Sequence, residues 1–318
     1  TALNVIGRRR VKQRALEARW NGNRSGFVFD EIEANVPLQI DSLGDLKLLK
    51  LGMHETQMRI ARYRGYRPDL RNVNLRGADL SGLDLNGVRL AGSHLEGANL
   101  ENASLKGADL EVCHLQGARL YRAKMAGANL KRSVLTYANL EFAALQGANL
   151  QEAQLRNAKL SMTCLVGAKL TKAKLQGAMM YSTDMSGASL LEARFQQMSS
   201  HAIEFIGAAL DGASLQNATL LEAKLQGTSL MGVNLNSETN LSKLDFSGAA
   251  IRSVDATTLD RIKDHLPVMF SDGSLELPDD VVRPAHWAKQ VLDRGQFVKH
   301  WQAWLATVDL DALARETG

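Results

Sequence analysis

Two histidines in this 318-residue chain have the spacing of a metal pair. His94 and His114 stand four beats of a five-residue repeat apart, each one place before a leucine. In a chain whose turns close after four such beats they stack on adjacent turns with their imidazoles outward, close enough to share an ion. Zinc-type sites take three or four ligands. The rungs on either side of the pair are Asn74 and Val134, which do not complete a set, so the expectation is no metal. Ser200 interrupts a line of leucines, but no His and Asp accompany it as an activated nucleophile needs. Met198 beside it replaces the usual Ala, which reads as an exchange of volume in a core. The glycines recur at regular intervals and form no phosphate-binding G-x-x-x-x-G-K-[ST] loop. Carboxylates are not concentrated anywhere. These residues point to a protein without catalysis and without a cofactor.

What positions these residues is a beat of five. From 70 to 235, 34 consecutive sites in register hold 28 Leu, three Met (Met125, Met180, Met185), two Phe (Phe195, Phe205) and Ser200. A small residue, usually Ala, sits two places before each. A period of five is neither 3.6 nor 2, so neither an ordinary helix nor a flat strand accounts for it. An inward side chain every fifth residue requires a chain that turns after each short extended run, and four runs close a square. Gly occupies 87, 107, 127, 147, 167, 187, 207 and 227. Gly87, Gly107, Gly127, Gly147, Gly167, Gly187, Gly207 and Gly227 therefore mark one type II corner per coil, where a positive φ is required. Stacked coils repeat at about 4.8 Å and bury their leucines against one another.

The triplets Ala78-Asp79-Leu80, Ala98-Asn99-Leu100, Ala128-Asn129-Leu130 and Ala148-Asn149-Leu150 carry the pattern A-[D/N]-L-x-x. The pattern resembles the pentapeptide-repeat family over more than half of the chain. The resemblance implies an all-β solenoid, a right-handed quadrilateral β-helix. The repeats make about nine coils, and α-helical N- and C-terminal caps are expected at the ends. A fold of this kind implies little about function.

Proline and tryptophan mark the joints. Pro37, Pro68, Pro267, Pro278 and Pro284, like Trp20, Trp287, Trp301 and Trp304, all avoid 69–266. Proline lacks the donor that a buried ladder uses. The division is a basic, mainly helical segment 1–66, a repeat rod 67–251 and a helical C-terminal cap 252–318. After Leu235 the beat moves to Leu241, Phe246 and Ile251, which places one extra residue within Asn236–Asn240. An amphipathic helix is expected from Asp41-Ser42 through Ile60, covering the first coil. In the C-terminal cap a first helix starts at Asp255 and ends at Pro267. His286–Leu305 reads as one or two helices broken at Gly295. The stretch Asp272-Gly273-Ser274, Leu277-Pro278 and Pro284-Ala285-His286-Trp287 is similar to the tails of some bacterial pentapeptide-repeat proteins.

Residues 1–66 hold 12 Lys+Arg and 7 Asp+Glu, 70–251 hold 17 and 15, and 252–318 hold 8 and 11. Arg8, Arg9, Arg10, Lys12 and Arg14 form a basic run open to three readings: a solvated helix face, attachment to an anionic membrane surface, or contact with nucleic acid. No apolar run approaches a membrane span. No signal peptide is visible. The two cysteines, Cys113 and Cys164, fall on different sides of the square and do not suggest a disulfide; a cytoplasmic protein, with possible peripheral attachment to a membrane, is the expectation.

Three functions compete. A stiff rod with flat sides suits a non-catalytic protein-interaction or structural scaffold module. Its candidate interface is the low-charge corner column with Ala126, Val166 and Ile206, and Trp301 and Trp304 are possible anchors at the C-terminal end. The family resemblance implies a second: some members mimic duplex DNA and bind DNA gyrase, which needs a dense negative surface. The rod departs from that, with Lys159, Lys169, Lys172 and Lys174 clustered, although Asp84, Glu96, Glu101, Asp109 and Glu111 could form a local acidic face. The third is a membrane-attached spacer. A homodimer fits any of the three.

Overall fold

In a computed structural model of the protein, residues 67–315 are described, together with the helical Met58 and Ile60. The chain from 69 winds as a four-sided β-solenoid. Bridges join residues 20 apart over most of its length, and all are parallel. Each side has its own ladder. The first side runs Asp69–Arg89–Asp109, the second Asn74–His94–His114, the third Asp79–Asn99–Arg119 and the fourth Asp84–Ser104–Lys124. On the third side the bridges lengthen into three short parallel strands, β1 (Ser199–His201), β2 (Thr219–Leu221) and β3 (Asn240–Ser242).

The local chemistry of the five-residue unit explains the winding. After each inward Leu the chain turns, and the N–H of the small residue three places on donates back to the Leu carbonyl, as from Ala98 to Leu95 (3.0 Å) and Ala148 to Leu145 (3.0 Å). The Asn or Asp before the Leu is selected by the same corner. Its carboxylate or amide oxygen accepts the N–H two residues on, as Asn99 does from Glu101 (3.2 Å) and Asn139 from Glu141 (3.0 Å). Short polar side chains suit such backbone-capping turns. Between coils, the remaining donors and acceptors pair rung to rung: Leu100 N–H donates to the Arg119 carbonyl and Asn102 N–H to that of Tyr121.

The turns hold a positive φ at their third residue all round the square, not at one corner only. Val112 (56°), Arg122 (56°), Tyr137 (60°), Phe142 (61°) and Lys172 (60°) adopt it alongside Gly107 (60°) and Gly147 (62°). Conformation by itself therefore does not select the glycine column. What sets that corner apart is burial: Asn86, Lys106 and Gln146 beside it are each only 6% exposed, and Gly87, Gly107 and Gly147 are buried. At its first rungs Arg67 straddles the column, donating to the Gly87 and Gly107 carbonyls at 2.9 and 2.6 Å.

The shaft is filled by the inward residues, from Leu80 to Leu235, nearly all under 5% exposed. Where the small column holds a polar residue, its hydroxyl or thiol donates to a backbone carbonyl, of the preceding coil for Ser93 to Leu70, Thr163 to Leu140, Thr183 to Leu160 and Cys113 to Leu90, and of its own corner for Ser133 to Leu130. Phe195 and Phe205 meet edge to face at 6.1 Å.

The extra residue falls where the slip in the beat places it. Thr219 pairs with Asn240 and Lys224 with Asp245, each 21 apart. The Thr239 hydroxyl accepts from Asn236 N–H and so closes the longer corner. The ladder continues past the expected boundary at 251, since Ala250 still bridges to Phe270. Most of the intervening coil is helical: α1 (Ala256–Ile262), capped by Asp255 accepting from Thr258 N–H at 2.7 Å, leads into a 3-10 helix, Lys263–Val268. Leu259, Ile262, Leu266 and Val268 join the shaft's own core cluster. Pro267 lies inside the 3-10 helix rather than ending α1, which already stops at Ile262.

Two more helices follow, α2 (Arg294–Leu305) and α3 (Leu310–Arg315). Gly295 does not break α2, and the expected helical stretch before it is irregular. Asp293 starts α2 through a capping box with Gln296 and thereby places the glycine in the first turn. The buried Asp272 carboxylate holds the preceding loop, accepting from Ser274 N–H and Leu292 N–H, with Arg252 at 3.7 Å. Gly273 is required by close approach, since a Cβ there would lie 2.5 Å from the Lys289 carbonyl oxygen.

Two outcomes test this packing. Leu150→Ala empties a fully buried rung and should cost about 2–5 kcal/mol in chemical denaturation. Gly273→Ala should cost about 1–3 kcal/mol, because the atoms it meets are backbone and cannot swing aside; a neutral effect would contradict the loop geometry.

Candidate functional site: the outer faces of the rod

The outer surface is sorted by side. Several charges of opposite sign pair between successive coils, while the bridge partners Lys174 and Arg194, and Asp184 and Glu204, set like charges side by side. Along the corner after the first side, Arg132 pairs with Glu152 (3.1 Å) and Lys172 with Glu192 (3.5 Å). Elsewhere Arg119 meets Glu101 (2.7 Å), Lys224 meets Glu204 (2.7 Å) and Lys243 meets Glu222 (2.9 Å). The Arg132 hydrogen bond and charge hold the Glu152 carboxyl below its ordinary range. Exposed pairs of this kind add little stability singly.

The five acidic residues singled out in the sequence do not share a face. Asp84 is on the fourth side, Asp109 on the first with Glu111 at the corner after it, Glu96 at the corner after the second, and Glu101 at the corner after the third. Of the lysines, Lys159 is on the third side, Lys169 on the first and Lys174 on the second.

The proposed low-charge interface column is also placed differently. Ala126 and Val166 are completely buried and Ile206 is 8% exposed. A column low in charge is what a covered corner needs, and the sequence signal of an interface was the signal of burial. Trp301 is likewise inward: it is 9% exposed, donates from Nε1 to the Gly248 carbonyl at 2.9 Å, and packs with Ala250, Phe270 and Phe297. Trp304 stacks on His286 at 4.5 Å and tilts against Phe270. Both tryptophans thus attach α2 to the last coil. The basic run Arg8, Arg9, Arg10, Lys12 and Arg14, and most of the helix expected over 41–60, lie outside the described residues.

Exposed apolar side chains, in contrast, gather on one side. Tyr137 (68%), Phe142 (44%), Met162 (53%), Met179 (39%) and Tyr181 (42%) all belong to the third side or its two corners; of the large exposed apolar residues on the described coils, only Val112 stands elsewhere. Tyr121 meets Phe142 edge to face at 5.4 Å, and the Arg122 guanidinium lies over both rings. The sequence carried this signal as aromatics and methionines in the third-side columns, but single columns of variable residues do not stand out beside the regular ones.

The residues with chemical potential are mostly absorbed by packing. Ser200 is 1% exposed and donates from Oγ to the Thr219 carbonyl at 2.9 Å, with Met198 buried next to it. Burial pushes the Cys113 thiol up to about 12 and that of Cys164 to about 11, and both are free. An open groove of about 490 Å³ beside α2 is lined by Glu192, Asp211, Met231, Arg252 and Arg294, with Arg294 and Asp211 paired at 3.2 Å. His94 and His114 do stack, with ring centres 4.6 Å apart. The residue that sequence spacing missed beside them is Glu96, whose Oε1 lies 2.9 Å from His94 Nδ1; it reaches back from the following corner, only two places along the chain. Among the described residues no helix is long and apolar enough to cross a membrane.

With these features in place the comparisons are direct. The sequence profile of pentapeptide repeats matches in eight copies, over 69–111, 113–187 and 203–236. HetL, a pentapeptide repeat protein involved in heterocyst differentiation regulation in the cyanobacterium Nostoc sp. Strain PCC 7120, is 32% identical over 57% of this chain and 86% of its own (TM-score 0.27). The chain belongs to the pentapeptide-repeat family. It is also similar to full-length QnrB1, a plasmid-mediated fluoroquinolone resistance protein (15% identity, 62% and 99% coverage, TM-score 0.29). A pentapeptide repeat protein of the Arabidopsis thaliana thylakoid lumen is 26% identical over 47% of this chain and 69% of its own (TM-score 0.17). No curated protein sequence matches.

One buried carboxyl makes a contribution to stability that falls as pH rises. Burial pushes Asp184 above its ordinary 3.8, against the hydrogen bonds from Ser186 that lower it. Its charged form is therefore disfavoured in the fold, and stability is lost as pH rises through and beyond 3.8. Asp184→Asn should raise the melting temperature at neutral pH and leave it unchanged well below pH 3.8, as read by thermal melts at both.

Proposed function

We propose that this protein is a non-catalytic interaction scaffold whose rod offers its third side to a protein partner. The observation that carries the reading is the concentration of Tyr137, Phe142, Met162, Met179 and Tyr181 there, beside ion pairs between coils such as Arg119–Glu101 that the third side shares with the others. Aromatic and methionine side chains are enriched at the centres of protein interfaces, and Arg122 over two rings adds a cationic anchor of the type found at binding hot spots. The filled shaft agrees with this use, since a solenoid whose interior is packed binds through its outer surface.

The finer architecture belongs to the same proposal. About nine right-handed coils form the rod, the segment 1–66 covers its first coil, and the helices of 252–318 close its last. The basic run from Arg8 to Arg14 then remains available for an anionic surface, and a second copy of the chain is one form the partner can take. A DNA-mimicking binder of DNA gyrase is the less favoured reading. It requires dense unpaired negative charge, and here Glu101, Glu152 and Glu204 each face an Arg or Lys on the neighbouring coil.

The test is capture of partners from the source cell by the tagged full-length protein and by Phe142→Lys/Met162→Lys. Both positions are exposed turn residues, so the fold is retained. The variant should lose the captured partner, with at least tenfold weaker binding of the purified partner. Equal binding would remove the third side as the interface, and recovery of gyrase subunits by both proteins would favour the DNA-mimic reading.

A further inference from the structure

We propose that His94, Glu96 and His114 form a binding site for a divalent transition-metal ion on the second side of the rod. Their ligand atoms lie within 4.8 Å of one another. Two imidazoles and a carboxylate are a donor set suited to zinc, nickel, copper or cobalt rather than to calcium or magnesium.

The contacts mark where the ion sits. Arg76 Nη2 is 2.7 Å from His94 Nδ1 and 3.1 Å from Glu96 Oε1, and those two acceptors are themselves only 2.9 Å apart. A guanidinium can only donate. Nδ1 must then present its lone pair to Arg76, so it has no proton to give Glu96. Two acceptors brought this close are held by the cation between them. The Arg76 side chain is half exposed, reaches in from the preceding coil and can leave. A metal ion in its place takes the same two lone pairs at about 2.0–2.2 Å.

Two further observations favour an ion over the guanidinium. Glu96 Oε2 is buried and accepts no hydrogen bond among the described residues. It is a spare oxygen on the carboxylate that Arg76 already engages, and a carboxylate can bind a metal through both. The second observation is the His114 ring, stacked on His94 with 12° between the planes. It is outside the Arg76 contact and supplies the third ligand from the next coil, after a small rotation of both rings. Water completes the coordination. The ion then joins two adjacent coils near the N-terminal end of the described rod, and metal binding raises the stability of the fold by mass action.

The experiment is calorimetric titration of the full-length, tag-free protein with Zn²⁺ and Co²⁺, together with the Co²⁺ visible spectrum and thermal melts. The expected result is one saturable site per chain, ligand-field bands on Co²⁺ addition and a higher melting temperature with Zn²⁺. His114→Ala and Glu96→Gln, both surface changes, should weaken binding at least tenfold while leaving the metal-free melting temperature unchanged. Arg76→Ala should tighten binding, since it removes the competing cation. An absence of saturable binding by the wild-type protein, affinity unchanged in a His94→Ala/His114→Ala variant, or weaker binding by Arg76→Ala would each overturn the proposal.

Discussion

The structure depends on one constraint: a single four-sided coil can neither bury its leucines nor satisfy its backbone by itself. Leu100, for example, donates its N–H to Arg119 of the next coil and has its side chain completely buried against neighbouring rungs. Each coil is therefore a template for the next, and register is strict because a one-residue slip turns the inward set outward. The insertion near Thr239 is tolerated for this reason. It is absorbed within one corner, after which Lys224–Asp245 and Ser229–Ala250 resume a constant offset.

The same register organises function. Because positions one coil apart are neighbours, any outward column is a line of contacts along the rod. Opposite signs in a column give the Arg132–Glu152 and Lys172–Glu192 pairs, and exposed aromatic and methionine side chains line the third side. A repeated histidine in a column becomes a stacked pair, and a carboxylate two places on is carried to it by the corner turn. Binding features on this fold are thus assembled from the outer positions, while the inward ones are committed to packing.

Much of this was legible in the sequence. The beat of five, the Leu and Ala columns and the extra residue after Leu235 were all readable because burial imposes near-identity on inward positions. The two ends were less so. Gly295 reads as a helix break, yet the Asp293–Gln296 capping box overrides it; the rod reads as ending at 251, yet Phe270 still pairs with Ala250. Among the site residues, Ala126, Val166 and Ile206 were misplaced because low charge marks a covered corner as well as an interface. The glycine column was correctly located but explained by φ, when Tyr137 and Phe142 take the same φ at other corners. Glu96 was missed because attention to the coil-to-coil spacing overlooks a partner only two places away.

The central claim is that every position on the rod has its neighbour one full coil further along the chain, so that sides and columns, not local sequence, define the surface. It is tested most directly by engineered disulfides in a background in which Cys113 and Cys164 are replaced. Gln154 and Lys174 are bridge partners on the second side, and paired backbones at about 4.8 Å are within disulfide reach. Gln154→Cys/Lys174→Cys should form an intramolecular disulfide readily under mild oxidation, while Gln154→Cys/Lys169→Cys, closer in sequence but with Lys169 on the first side, should not. Equal cross-linking of the two pairs, or preference for the second, would contradict the four-sided register.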